Sequence, residues 1–243
     1  MGQNLWAGDA WMRFTDGAPH IGARPIVWRH TIIRIPQLAQ LDSLPRFAGL
    51  SLDRIIIPRT PTEFRQAAED VLGYAQIGFD TESKPTFRVG ERSDGPHLIQ
   101  LATPERAYLL QIGAQGCAEA AKQILESDQV LKVGFGLGSD RSRLRTRLGI
   151  ELRYSLDLGT ALRYEGKKGQ VGLRGAVAAV LGAAISKSRR VSTSNWANAR
   201  LTEAQQRYAA NDAYAALAVF LALGDDPERL LADRIMPARR SQS

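Results

Sequence analysis

"IGFDTES", Ile77 to Ser83, closes a strand-like apolar run with two carboxylates one threonine apart. Side chains alternate along a strand, so Gly78, Asp80 and Glu82 share one face while Ile77, Phe79 and Thr81 share the other. Alternate residues sit roughly 6.5–7 Å apart, so two acids repel each other on a surface otherwise meant for burial. A divalent cation relieves both that repulsion and the desolvation cost. The alternative is a solvated strand end, since Asp-x-Glu is a common tripeptide.

Upstream, "RIIIP" from Arg54 reads as a short strand, and "TPTEFRQAAEDVL" opens a helix. Thr60 is its N-cap, Pro61 its first residue, and Glu63 completes a capping box. Downstream, "HLIQLAT" and "AYLLQIG" are strands joined by Pro104-Glu105, a link short enough to require an antiparallel hairpin. A helix around 116–127, the strand "VLKVGF", a short helix near 140–148 and a strand near 153–157 follow. Helices near 158–165 and 171–181 come next, then a polar basic loop over 183–198 and a last long helix from about 203 to 223. Three strands in a row, then strands alternating with helices, predict a mixed sheet flanked by helices.

Two more acids fall on helices. Asp140, with Ser139 read as the N-cap, sits in a first turn, where the helix dipole favours any acid. Leu144 and Leu148 lie on its side of the helix and turn it inward, leaving Arg141, Arg143, Arg145 and Arg147 as a solvated face. In "LTEAQQRYAANDAYAAL", Thr202 and Gln205 form a second capping box, and Tyr208 and Asp212 project from one face. Ala215, Ala216, Val219 and Leu223 continue that stripe, so Asp212 falls on the face that packs. An acid there needs a partner, and a metal shared with Asp80 would serve. Gly134, Gly136 and Gly138, with Asp157 about twenty residues on, imitate a dinucleotide-binding turn. The spacing fails at Ser139, and Asp157 reads better as a helix N-cap.

The 243 residues, 44% of them apolar, suffice for one domain plus an extension. Residues 1–45 hold Trp6, Trp11 and Trp28 without a steady period and form a poorly defined N-terminal extension; 229–243 is a tail. The net charge of +7 is carried mostly by arginine, whose fork suits phosphate, although a genome rich in arginine gives the same balance. The single cysteine, Cys117, excludes an internal disulfide and a multi-cysteine zinc site. No apolar run approaches the roughly 18 residues of a membrane span, and Asp9, Arg13 and Asp16 interrupt any signal-peptide core. A reducing, cytoplasmic setting is the expectation.

Together, four acids and a tyrosine placed this way resemble the DEDD superfamily of 3′–5′ exonucleases, in its tyrosine-bearing branch. The Werner-syndrome-type exonuclease domain is most similar, with ribonuclease D more distant. The resemblance runs over about residues 52–224 through "GFDTES", "LIQLAT", "LKVGFGLGSDRSRL" and "SNWANARLTEAQQRYAANDAYAAL". It implies a ribonuclease H-like fold, a mixed five-stranded sheet flanked by helices, in a single catalytic domain over 46–228. It also implies that Asp80, Glu82, Asp140 and Asp212 hold two divalent cations, Mg2+ or Mn2+, and that Tyr208 orients the attacking water. Two ions about 3.5–4 Å apart suit phosphodiester cleavage. Tyrosine, with an ordinary pKa near 10, places water better than it deprotonates it. The partner implied is single-stranded or 3′-recessed nucleic acid, DNA or RNA, released as nucleoside monophosphates. Lys187, Arg189 and Arg190 would track its backbone, and Trp196 would stack a base or pack beneath the loop. Phe87, Arg88 and Arg92 would meet the 3′ end. A non-catalytic nucleic-acid-binding module on the same fold, and RNA 3′ processing of the ribonuclease D kind, are the alternatives.

Overall fold

Gln76–Glu82 is a strand: Ile77, Phe79 and Thr81 are buried on one face, while on the other Gly78 is buried and Asp80 and Glu82 are half-buried. It belongs to a computed structural model that describes residues 31–33, 43–86, 94–165, 169–186 and 188–224. In chain order the elements are β1 (Thr31–Ile33), β2 (Ile55–Ile56), α1 (Pro61–Leu72), β3 (Gln76–Glu82), β4 (Leu98–Ala102) and β5 (Ala107–Gln111). Then come α2 (Cys117–Leu125), β6 (Leu131–Gly134), α3 (Gly138–Arg143), β7 (Ser155–Asp157), α4 (Leu158–Ala161) and β8 (Leu162–Tyr164). The chain closes with α5 (Leu173–Leu181), α6 (Arg189–Ser192) and α7 (Glu203–Ala222).

The main sheet runs β2-β5-β4-β3-β6-β7. Its centre is β3, antiparallel to β4 and parallel to β6. The order is that of a ribonuclease H-like mixed sheet, with six strands rather than five because the two-residue β2 pairs in parallel at the edge of β5. On one face Ile77, Phe79, Ile99, Leu101 and Leu110 meet Phe64 and Val71 of α1 and Ile124 of α2. Burying each such side chain contributes roughly 1.5–3 kcal/mol. On the other face Leu98, Ala102 and Leu109 meet Ala209, Ala210 and Ala213 of α7. Farther along that face, Leu131, Val133 and Leu156 meet Val219 and Phe220 of α7 and Val177 of α5.

Both capping boxes form: Thr60 accepts from the Glu63 amide and Thr202 from the Gln205 amide, with the reciprocal bonds in place. Elsewhere the chain departs from its pattern. The helix expected over 158–165 stops at Ala161, where the Arg163 guanidinium donates to the Thr160 and Leu162 carbonyls. Leu162–Tyr164 turns extended and pairs in parallel with β1. Leu137, not Ser139, precedes α3, since the Asp157 carboxylate accepts from the Gly136 and Leu137 amides and fixes the entry from outside. After Arg143 the helix widens into one π turn, Leu144–Leu148. The expected loop over 183–198 contains α6, capped by Ser188. No helix among the described residues is long and apolar enough to cross a membrane.

Candidate active site

The site forms where the parallel neighbours β3 and β6 end, at the carboxyl edge of the sheet. In open α/β sheets this edge is where crevices open. Close approach of α7 makes it possible. A Cβ on Gly78 would lie 1.9 Å from the Ala213 carbonyl oxygen, so only a residue without one lets the helix lie so close to β3. Asp212, one residue before Ala213 and only 4% exposed, is thereby brought beside Asp80. Both line a cleft of about 410 Å³ together with Phe135, Gly136 and the segment from Gln170 to Leu173.

Asp140 comes from the opposite layer. Its Oδ1 accepts a short hydrogen bond from the Thr81 hydroxyl, and Thr81 belongs to the face of Ile77 and Phe79. Asp212 therefore descends from the α7 side and Asp140 from the α3 side, and the two straddle the end of β3. The Asp80 carboxylate accepts the Thr81 amide at 2.8 Å. Burial pushes the Asp80 carboxyl well above its ordinary range, and the charges of Asp212, Asp140 and Glu82 push it further. Burial also raises Asp140, against the Thr81 hydrogen bond and the Arg143 charge, which favour its ionised form.

Tyr208, one turn before Asp212 on α7, has its hydroxyl pushed up by burial and then by Asp212, Glu82 and Asp80. These effects disfavour the phenolate and keep the hydroxyl available as a hydrogen-bond donor. Ser192 of α6 hydrogen-bonds it, and the Trp196 ring packs 6.0 Å from its own. Trp196 is 1% exposed and donates its indole N–H to the Ser192 carbonyl. A ring so enclosed has no face to offer a base, so its expected nucleic-acid contact gives way to the packing role. Arg189 and Arg190 are exposed on α6. Lys187, Phe87, Arg88 and Arg92 lie outside the described residues.

The five expected polar residues are thus assembled: each of Glu82, Asp140 and Asp212 acts electrostatically on Asp80, and Tyr208 faces three of the four acids. As hard oxygen donors they suit Mg2+ or Mn2+. Among the described residues, however, no three carboxylates, histidines or cysteines stand close enough to ligate an ion without moving. The donor set fits such an ion in charge and chemistry.

Sequence reasoning gave Asp157 only an N-cap role. Its carboxylate accepts from Gly136, Leu137 and Gly159 at 2.8, 3.0 and 2.9 Å, and so pins the turn that carries Asp140 and lines the cleft. The near-miss glycine pattern was the available signal: a φ of +71° at Gly136 explains why glycine is there. Ser192 carried no signal, because its contact depends on the fold of α6.

The sequence profile of a family described as 3′–5′ exonuclease matches residues 55–226, and the chain belongs to that family. The bifunctional 3′–5′ exonuclease/ATP-dependent helicase WRN of Mus musculus is 34% identical over 152 residues, covering 61% of this chain and 11% of that protein. A 3′–5′ exonuclease of Arabidopsis thaliana is 26% identical over 195 residues, covering 75% of this chain and 66% of the plant protein. The chain thus spans a small part of the first relative and just under two thirds of the second. Among solved structures, the Aedes aegypti Nibbler EXO domain superposes with a TM-score of 0.63 at 25% identity, over 76% of this chain and 94% of that one. Escherichia coli RNase D shares the fold, with a TM-score of 0.59 at 23% identity over 70% of this chain and 44% of that one.

Proposed function

We propose that this 3′–5′ exonuclease domain hydrolyses the terminal phosphodiester of a single-stranded or 3′-recessed nucleic acid and releases nucleoside monophosphates. Asp80, Glu82, Asp140 and Asp212 would hold two divalent cations, Mg2+ or Mn2+. The observation that carries this reading is the convergence of Asp140 and Asp212, from two distant helices, on the Asp80–Glu82 strand end, with Asp80 and Asp212 lining a cleft. Bound there, the ions supply an activated water and neutralise charge on the leaving oxygen.

The chain's own residues do the remainder. Tyr208 keeps its proton and donates a hydrogen bond to place the attacking water. Thr81 and Asp157 orient Asp140, one through its carboxylate and the other through the turn before it. Arg189 and Arg190 attract the phosphate backbone from an exposed helix beside Tyr208. Their charges steer a polyanion without selecting a sequence.

The test is digestion of a 3′-labelled oligonucleotide. Asp80→Ala and Asp212→Ala should remove mononucleotide release while circular dichroism stays native, and excess EDTA should stop the wild type. Full activity in EDTA would remove the metal from the mechanism. Matched DNA and RNA strands in the same assay decide the substrate. A binding module without turnover has one observation in its favour, the absence of a ready-made ligand cluster among the described residues. Magnesium-dependent appearance of mononucleotides rules it out.

A further inference from the structure

One buried polar side chain at this site has no hydrogen-bond partner among the described residues. Gln100, in the middle of β4, is fully buried, and neither its Oε1 nor its Nε2 finds a hydrogen bond among the described residues. Strand register places it directly opposite Asp80 on one side and opposite Leu109 on the other. Directly opposed residues share a face, with Cβ atoms about 4.5–5.5 Å apart. Its other neighbours on that face are Leu98 and Ala102, and the helix above contributes Ala209, Ala210 and Ala213. Tyr208 also packs against this cluster, and Asp80 is the polar residue that strand register sets directly across from Gln100. A buried amide with both ends unspent is costly, and native folds satisfy nearly all such groups.

We infer that Gln100 is a positioning residue for Asp80: its Nε2–H group donates to the Asp80 carboxylate when a divalent cation is bound, fixing the orientation in which that carboxylate ligates. The inference rests on the proposed metal-binding role of Asp80. A ligating carboxylate needs a donor that leaves its lone pairs correctly aimed, and such supporting contacts typically set metal affinity within a factor of 10–100. The Thr81 amide already engages one Asp80 oxygen at 2.8 Å, and Gln100 is placed to engage the carboxylate from the neighbouring strand.

The experiment is Mn2+ binding by calorimetry on the full chain, comparing wild type with Gln100→Met, which keeps the length of the side chain and removes the amide. Binding should weaken about 10–100-fold, while melting of the metal-free protein stays the same or rises, because an unpartnered polar group is gone. Wild-type affinity in the variant overturns the assignment and leaves the metal reading intact. Absence of Mn2+ binding in the wild type itself overturns both. A second measurement needs no variant: in wild-type protein, the Gln100 side-chain amide resonances should move on addition of Mg2+ and exchange more slowly with solvent. Resonances that do not move overturn the assignment even if Gln100→Met fails to fold.

Discussion

The two faces of β3 are built to opposite rules. Toward α1 and α2 the strand presents Ile77 and Phe79, fully buried against Phe64, Val71 and Ile124. Toward α7 it presents Gly78, Asp80 and Glu82 beneath a helix whose inner surface is largely alanine. The first face gains stability from large apolar side chains. The second gives up that gain so that a helix backbone can lie close and carry Asp212 to Asp80. Small residues here set a distance, and the acids occupy what it creates.

That contrast can be broken from either side. Phe64→Ala should cost about 4 kcal/mol of stability, from lost transfer energy plus the cavity left behind. Activity per folded molecule should stay within a few-fold, because no residue of α1 lines the cleft. Denaturant titration alongside single-turnover digestion checks both. Gly78→Ala should cost less stability, roughly 1–3 kcal/mol, as the new methyl forces α7 away from the Ala213 carbonyl contact. Its activity should nevertheless fall about 100-fold, since moving Asp212 by even 1 Å spoils the alignment. If the Phe64 variant loses activity in the folded protein while Gly78→Ala keeps it, the division of labour between the faces is wrong.

Much of this is legible in the sequence. The alternation in "IGFDTES" assigned the acids to one face, and the capping boxes at Thr60 and Thr202 set the starts of α1 and α7. What was illegible depends on tertiary contact. The Leu162–Tyr164 strand exists because β1 pairs with it, and helix propensity alone misreads it. Trp196 next to a basic loop looks like a stacking platform until the α7 side closes over it. Gln100 inside "LIQLAT" is an ordinary strand residue until register sets it across from Asp80.

A pH series sharpens the polar face on its own. In an unfolded chain the Asp80 carboxyl titrates at its ordinary value of 3.8; in the fold, burial and three like charges raise it. Between those two values the native state binds more protons than the unfolded state, so this group's contribution to stability falls as pH rises. Metal-free protein should therefore lose stability from about pH 4 upward relative to Asp80→Asn, which cannot ionise. Thermal melts of the two proteins in EDTA, read as a difference at each pH, measure it. A difference that stays flat across the series would mean that neither burial nor the neighbouring carboxylates raise Asp80.

The smallest expected effect tests how α7 is held. Thr202 accepts from the Gln205 amide, and Gln205 returns a bond to Thr202 while its Nε2 also donates to the Ser194 hydroxyl at 3.0 Å. Thr202→Ala removes one half of the box and should cost about 1 kcal/mol, a fall in Tm of about 2–4 °C for a chain of this size. Tyr208 and Asp212 lie in the second and third turns, beyond the residues that fray when a cap is lost, so kcat should hardly change. A large drop in kcat with so small a drop in Tm would show that the helix is set in place from its N-terminus. The observed geometry puts that job on the alanine face, where Ala213 meets Gly78.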